Sequence, residues 1–214
     1  MAGAKRATDA REDQIILDLL DSVERGGPKS QRHLASELGI ALGLVNAYLK
    51  RCINKGLVKV REAPARRYAY YLTPRGLSEK SRLTVEYLSY SFSLFRRAKT
   101  DCAAEIDAAH ERGFTRIAIL GVSDFAEIAA ICALDRGVSV VAVVDASSDL
   151  TKFAGAPLVA SIDKLPGPVD AVLVTDIAAT RVTLERACAH FGAARVFCPE
   201  MIDPRDSQQR RAAR

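Results

Sequence analysis

The sequence predicts an α+β winged helix-turn-helix joined by a long helix to an α/β domain with a parallel sheet. In the first part of the chain, short amphipathic helices separated by glycine turns precede a strand hairpin. From Phe114 onward, short apolar strands alternate with helices, which is the pattern of a parallel α/β unit. The length of 214 residues is sufficient for two small domains.

The two halves of the chain differ in charge. Residues 1–100 carry 19 Lys and Arg against 10 Asp and Glu, a net charge of +9, whereas residues 101–214 carry 12 against 16, a net charge of −4. Because Lys and Arg that neutralise phosphates supply most non-specific DNA affinity, the basic half is the one expected to meet a polyanion. Charge alone leaves a solvated surface open as the alternative.

Composition excludes several classes of protein. The apolar runs are far shorter than a membrane span, so we expect a soluble, cytoplasmic protein with no membrane partner. The five cysteines are widely spaced and form no CxxC pair, which predicts reduced thiols and no metal site.

Capping residues predict the helix-turn-helix. Ser30 stands as an N-cap before a short helix over residues 31–38, which ends at Gly39, a residue type that accepts a left-handed backbone. After a turn of four residues through Leu42, a second helix runs to Lys55 and stops at Gly56.

The second of these helices has the pattern of a recognition helix. The residues expected to face inward recur at helical spacing: Leu42, Val45, Leu49 and Cys52. The opposite face presents small residues, amides suited to base edges and cations suited to phosphates: Gly43, Asn46, Ala47, Lys50, Arg51 and Asn54. We expect this face to contact DNA, together with Ser30, Gln31 and Arg32. An ordinary amphipathic helix with a solvated outer face would show the same pattern.

A hairpin follows, which favours the DNA-binding interpretation. Two strand-like runs, residues 57–62 and 67–72, flank a short loop whose end carries Arg66 and Arg67. In a winged helix-turn-helix such a tip lies along the neighbouring phosphate backbone or in the minor groove. Thr73 and Pro74 then open another helix as its cap and first residue.

The stretch from Lys29 to Thr84 resembles the MarR-like winged helix regulators, in particular the branch associated with exopolysaccharide gene clusters. The segments Leu-Gly-x-Val-Asn at residues 42–46 and Tyr-x-Leu-Thr-Pro-x-Gly at residues 70–76 carry the resemblance. It implies a transcriptional regulator that binds double-stranded DNA. Two residues depart from the family pattern: Ala41 stands where a Ser or Thr cap is usual, and Leu44 stands where a more polar residue is expected.

A long helix, or two helices with a kink, is expected to connect the halves over residues 77–112. One stripe recurs at alternating steps of three and four residues: Leu88, Phe92, Phe95, Cys102, Ile106 and Ala109. We interpret the stripe as the seam of a homodimer, because two-fold symmetry doubles the DNA site that one recognition helix can read. The alternative is that it packs on one of the chain's own domains.

Residues 113–200 resemble a half-sized Rossmann domain. The first strand ends at Gly121-Val122-Ser123-Asp124, directly before a helix, and the second ends at Asp145. A glycine turn followed by such an acid is the geometry that holds a phosphate and a ribose, so the candidate ligand residues are Gly121, Ser123, Asp124 and Asp145. Ser123 replaces the second glycine of the fingerprint, and Asp124 adds negative charge where a phosphate would sit. Three roles remain open: binding a nucleotide or nucleotide-sugar effector, binding another small anion or metabolite, and assembly.

No catalytic set is evident around the three histidines, His33, His110 and His190. We therefore expect a homodimeric, sequence-specific regulator that is not an enzyme and has no assured cofactor, with residues 1–76 binding DNA and residues 201–214 forming a disordered tail. The rival interpretations are a nucleotide-sugar-processing enzyme with a basic interaction module and an architectural protein that binds DNA without sequence preference.

Overall fold

The computed structural model describes residues 2–26, 30–63 and 67–205. Contacts divide the chain into two units, one up to Phe92 and one from Ser93. The predicted fold class is confirmed: a winged helix-turn-helix, a long helix and a largely parallel α/β domain follow one another along the chain. Among the described residues, no helix is both long and apolar enough to cross a membrane.

The first unit contains three helices, a hairpin and the beginning of a fourth helix. These are α1 (Ala2–Glu24), α2 (Gln31–Leu38), α3 (Leu42–Asn54), β1 (Val58–Ala63), β2 (Arg67–Leu72) and α4 (Pro74–Glu111), which continues into the second unit. Its core is built where apolar residues of these elements meet, among them Leu20, Leu34, Leu49, Val58 and Leu83.

The predicted caps of α2 are confirmed. The Ser30 hydroxyl oxygen accepts a hydrogen bond from the His33 N–H at 3.2 Å. Gly39 ends the helix at φ 62°, a left-handed conformation that a glycine adopts without steric cost. Ala41 precedes α3 without a side-chain capping bond, so the residue that departs from the family pattern leaves the start of α3 uncapped.

The start of α4 is locked against the end of α3. The Thr73 hydroxyl donates to the Gly56 carbonyl at 2.7 Å and accepts from the Gly76 N–H at 3.0 Å, while the Thr73 N–H donates to the Leu57 carbonyl at 3.0 Å. A Cβ atom at Gly76 would lie 2.1 Å from the Leu57 carbonyl oxygen. Glycine is therefore required here by close backbone contact.

The second unit is a six-stranded sheet with helices. After the end of α4 come β3 (Arg116–Leu120), α5 (Asp124–Asp135), β4 (Ser139–Val144), β5 (Lys152–Phe153), β6 (Ala156–Val159), β7 (Ala171–Val174), α6 (Thr180–Phe191) and β8 (Val196–Phe197). The strand order is β5-β6-β4-β3-β7-β8, and all neighbours are parallel except β5 and β6. Strand β5 was not predicted, because a run of two residues carries no periodicity.

The strand order reverses at β3. The chain extends the sheet from β3 through β4 to β6 on one side and then crosses to β7 and β8 on the other. The described residues of β7 are all buried, as expected for strands covered on both faces. The gap above the ends of β3 and β7 is the switch point, where open α/β sheets bind ligands.

The stripe predicted as a dimer seam divides into two parts. Cys102, Ile106 and Ala109 are buried in the core of the second unit together with α5 residues such as Ala129. The seam prediction is wrong for these three, because their periodicity reflects packing inside their own domain. Leu88, Phe92 and Phe95 are exposed.

Part of the predicted tail contacts the second unit. The Met201 N–H donates to Asp101 Oδ2 at 3.0 Å, and Arg205 forms an ion pair with Asp203. Residues 206–214 lie outside the described residues.

We predict that Gly76→Ala destabilises the first unit by about 1–3 kcal/mol, the usual cost of forcing an extra methyl group into a packed site. All six tyrosines of the chain precede Phe92, so tyrosine fluorescence during urea unfolding follows the first unit. The matched control is Gly43→Ala, since a Cβ atom at Gly43 would meet open space. Equal unfolding midpoints for wild type and Gly76→Ala would contradict the packing described for this junction.

Candidate functional sites

The outer face of α3 is exposed as predicted. Val45, Leu49 and Cys52 are buried beneath it. The six residues expected on the outer face are all exposed: Gly43, Asn46, Ala47, Lys50, Arg51 and Asn54. Leu42, expected to face inward, is 41% exposed, because it lies at the first position of the helix, at the edge of the buried side.

Gly43 is the most informative residue of this face. A glycine in the middle of a helix costs about 0.5–1 kcal/mol relative to alanine, and Gly43 is the second residue of α3. The backbone at Gly43 is helical, and a Cβ atom there would contact nothing within 4 Å. Packing among the described residues therefore does not require a glycine at this position. Close approach of another molecule to this surface would require one.

Arg51 is less available than the sequence indicated. Its guanidinium Nη1 lies 3.0 Å from Glu12 Oε2 on α1, so it forms an ion pair within the first unit. Both side chains are partly exposed, and such pairs contribute little to stability. The pair fixes the direction of Arg51, and a DNA phosphate would compete with Glu12 for it.

The remaining residues predicted to contact DNA differ in exposure and in their hydrogen bonds. Ser30 and Arg32 are exposed, although the Ser30 hydroxyl is engaged in capping α2. Gln31 is half-buried, with Nε2 located 3.5 Å from the Tyr70 hydroxyl. Arg67 is the first residue of β2 and pairs with Ala63, while Arg66 lies outside the described residues.

A crevice of about 470 Å³ opens at the carboxyl ends of the strands in the second unit. Gly121 and Asp145 line it, as the sequence predicts for a ligand site at the switch point. Ser123 and Asp124 are not part of its lining. Two further residues that sequence reasoning did not select, Asp176 and Arg186, do line it.

Asp145 holds two loops of the crevice together. Its Oδ2 accepts from the Val122 N–H at 2.8 Å, and its Oδ1 accepts from the Ser147 N–H at 2.8 Å and from the Ser147 hydroxyl at 2.6 Å. Burial acts to raise the pKa of Asp145, but these hydrogen bonds outweigh burial and hold the pKa below its ordinary value. Asp145 is therefore a carboxylate at neutral pH whose oxygens already accept three hydrogen bonds.

The glycine turn is closed by the loop after β7. Gly121 has φ 99°, and a Cβ atom there would lie 2.5 to 2.7 Å from atoms of Asp176. Asp176 in turn accepts hydrogen bonds from the Ala179 N–H at 3.0 Å and the Thr183 hydroxyl at 2.7 Å. An acid directly after an apolar strand marked Asp145, and the same signal in Ala-Val-Leu-Val-Thr-Asp could have marked Asp176.

The N-terminus of α5 is also occupied by the protein itself. The Ser123 hydroxyl accepts from the Ala126 N–H at 3.2 Å and donates to the Thr175 carbonyl at 2.7 Å. In a dinucleotide-binding domain this helix end holds the pyrophosphate. Here the cap and the charge of the exposed Asp124 make it a poor phosphate site.

Comparisons with known proteins concern both units. A family model described as winged helix-turn-helix DNA-binding matches residues 12–59. No curated protein sequence matches the chain. Among solved structures, the chain is similar to N,N-8-amino-8-demethyl-D-riboflavin dimethyltransferase from Streptomyces davawensis, at 15% identity and a TM-score of 0.34 over 86% of this chain and 74% of that one. It is also similar to human N-acetylserotonin methyltransferase in complex with SAM, at 14% identity and a TM-score of 0.37 over 88% of this chain and 73% of that one.

The comparisons correct one expectation and refine another. Both structural neighbours are methyltransferases, which contradicts our expectation that the chain is not an enzyme, and that expectation is withdrawn. At TM-scores of 0.34 and 0.37 the likeness assigns no property to this chain, and no methyl transfer is assigned to it. The family match agrees with the fold of the first unit: residues 12–59, from α1 to the beginning of β1, match a model described as a winged helix-turn-helix DNA-binding domain.

Proposed function

We propose that the protein is a homodimeric transcriptional regulator that binds specific double-stranded DNA sequences in the cytoplasm and responds to a small molecule bound by its second unit. The resemblance around residues 42–46 and 70–76 supports placing it among the MarR-like regulators of the exopolysaccharide-associated branch. The observation that carries the proposal is the outer face of α3, where Gly43 has no packing reason within the first unit.

The chemistry of that face suits the major groove. Gly43 and Ala47 allow the helix backbone to approach base edges closely, and Asn46 carries the amide that pairs with the N6 and N7 edge of adenine. Lys50 supplies a cation for phosphates, and the net charge of +9 on residues 1–100 adds affinity that does not depend on sequence.

The exposed part of α4 supports a homodimer. Val85, Leu88 and Phe92 lie on one side of the helix at steps of three and four residues and are 63%, 46% and 57% exposed. Tyr87 and Leu94 on the other side are also exposed, so the segment is apolar on more than one face. A partner that covered this segment would remove its apolar surface from water. A second copy is the occupant we propose, because two recognition helices read a site of useful length.

The crevice supports binding of a small molecule. Its charged groups are Asp145 and Asp176 near the turn and Arg186 on α6. Because α5 is capped by Ser123, a nucleotide or nucleotide-sugar effector would place its phosphates at Arg186, which also lines an adjoining groove with His190.

Competition binding tests DNA specificity. We expect the full chain to bind one enriched sequence at least about a thousandfold more tightly than random DNA. Asn46→Ala should remove base preference at one position, because it removes a base contact. Lys50→Ala should weaken binding to all sequences alike and lower the salt slope by about 1. Equal affinity of the wild-type chain for all sequences would instead favour an architectural protein.

Sedimentation equilibrium tests the dimer. The double variant Leu88→Glu with Phe92→Glu should be monomeric, because dimer formation would bury its new carboxylates in the seam. Its affinity for a DNA with two half-sites should fall about a hundredfold, because a monomer lacks avidity. Leu134→Glu, which changes an exposed leucine of α5, is the control and should remain dimeric. A double variant that sediments as the wild type does would exclude this seam.

A thermal-shift screen tests the effector. We expect a nucleotide or nucleotide sugar to raise the melting temperature, and Arg186→Ala to abolish the shift because it removes the phosphate partner. Arg181→Ala, another exposed arginine of α6, is the matched control. Silence of the wild-type protein towards NAD(H), nucleotide sugars and nucleoside phosphates would leave the second unit with an assembly role.

A further inference from the structure

Leu44 is exposed at the edge of the face of α3 that we assign to DNA. Its side chain is 48% exposed, in the first turn of the helix, and its N–H donates to the Ala41 carbonyl at 2.9 Å. Ala47 follows one turn later on the same side and is also exposed. Together they form an apolar surface, which we call the Leu44–Ala47 patch.

The packing of the first unit does not explain this patch. The core buries Val45, Leu49 and Cys52 of α3 but not Leu44. The exposed part of Leu44 leaves apolar surface in water. A molecule that covered the patch would remove this apolar surface from water.

The neighbours of the patch indicate what covers it. Gly43 leaves open space beside Leu44, and Asn46 and Lys50 carry groups suited to a base edge and a phosphate. In the major groove, the thymine C5 methyl is the apolar group that a base edge presents, and small apolar side chains contact it. The phosphates beside the bases would meet the cations of this face at the same time.

We propose that the Leu44–Ala47 patch contacts thymine methyl groups, so that the protein requires thymine at one or two positions beneath the first two turns of α3. Leu44 is then a specificity-determining residue, because it supplies an apolar contact to a base edge. The inference rests on the proposed DNA-binding function and adds to it the kind of base that is read.

Replacement of thymine by deoxyuridine tests the inference, because it removes the methyl group and leaves base pairing unchanged. A preferred sequence is first enriched from random duplexes with the full-length wild-type chain, and each thymine is then replaced in turn. We expect a loss of affinity of about three- to fivefold at one or two positions, the effect of one methyl group no longer buried in a contact.

Variants assign the effect to Leu44. In Leu44→Ser the loss on deoxyuridine replacement should disappear, whereas Leu44→Met, which keeps an apolar side chain, should retain it. The matched control is Ile131→Ser on α5, whose side chain is equally exposed at 48% and which should respond to deoxyuridine as the wild type does. Circular dichroism of each variant verifies that the chain remains folded.

The outcomes separate this inference from the proposed function. If the wild type enriches a sequence but binds its deoxyuridine forms within twofold, the thymine contact is wrong and DNA recognition stands. If Leu44→Ser remains as sensitive to deoxyuridine as the wild type, the contact belongs to another residue and the inference is overturned. If the wild type enriches no sequence, the proposed function fails and the inference fails with it.

Discussion

The backbone contact between Gly76 and Leu57 is the constraint on which the first unit depends. Leu57 directly precedes β1, and Gly76 lies in the first turn of α4, so their contact brings the end of α3, the base of the hairpin and the start of the long helix to one point. Thr73 completes it by hydrogen bonding on both sides. The direction in which the outer face of α3 points relative to the hairpin follows from this junction, and any residue larger than glycine would displace it.

Most elements could be predicted from local chemistry, whereas contacts between residues distant in sequence could not. Ser30 and Gly39 mark the limits of α2 because a hydroxyl cap and a left-handed glycine are local requirements. The ion pair of Arg51 with Glu12 joins residues far apart in sequence, and no pattern on α3 predicts it. The spacing of apolar residues on α4 does not say which surface each of them contacts. The sequence therefore predicts one seam for both Cys102 and Leu88. In the structure Cys102 is buried in its own domain, whereas Leu88 is exposed.

The second unit has the strand order of an open α/β sheet with a switch point, and the protein's own groups occupy the positions expected to hold a phosphate. Asp145 and Gly121 occupy the positions that the sequence predicted, yet the Asp145 oxygens accept hydrogen bonds from its own loops, and the Asp176 loop closes over the glycine. Ser123 caps the helix end that would otherwise bind an anion. The crevice at this end of the sheet is also lined by Arg186 of α6, and no motif in the sequence points to this residue.

The central claim is that α3 lies in the major groove with its outer face towards the bases. Chemical protection of an enriched DNA duplex tests it most directly, because dimethyl sulfate methylates guanine at N7 in the major groove and adenine at N3 in the minor groove. The account predicts that the bound protein protects guanine N7 atoms in two half-sites about one helical turn, or 10–10.5 base pairs, apart. Protection confined to adenine N3, with guanine N7 fully reactive across the bound site, would contradict it.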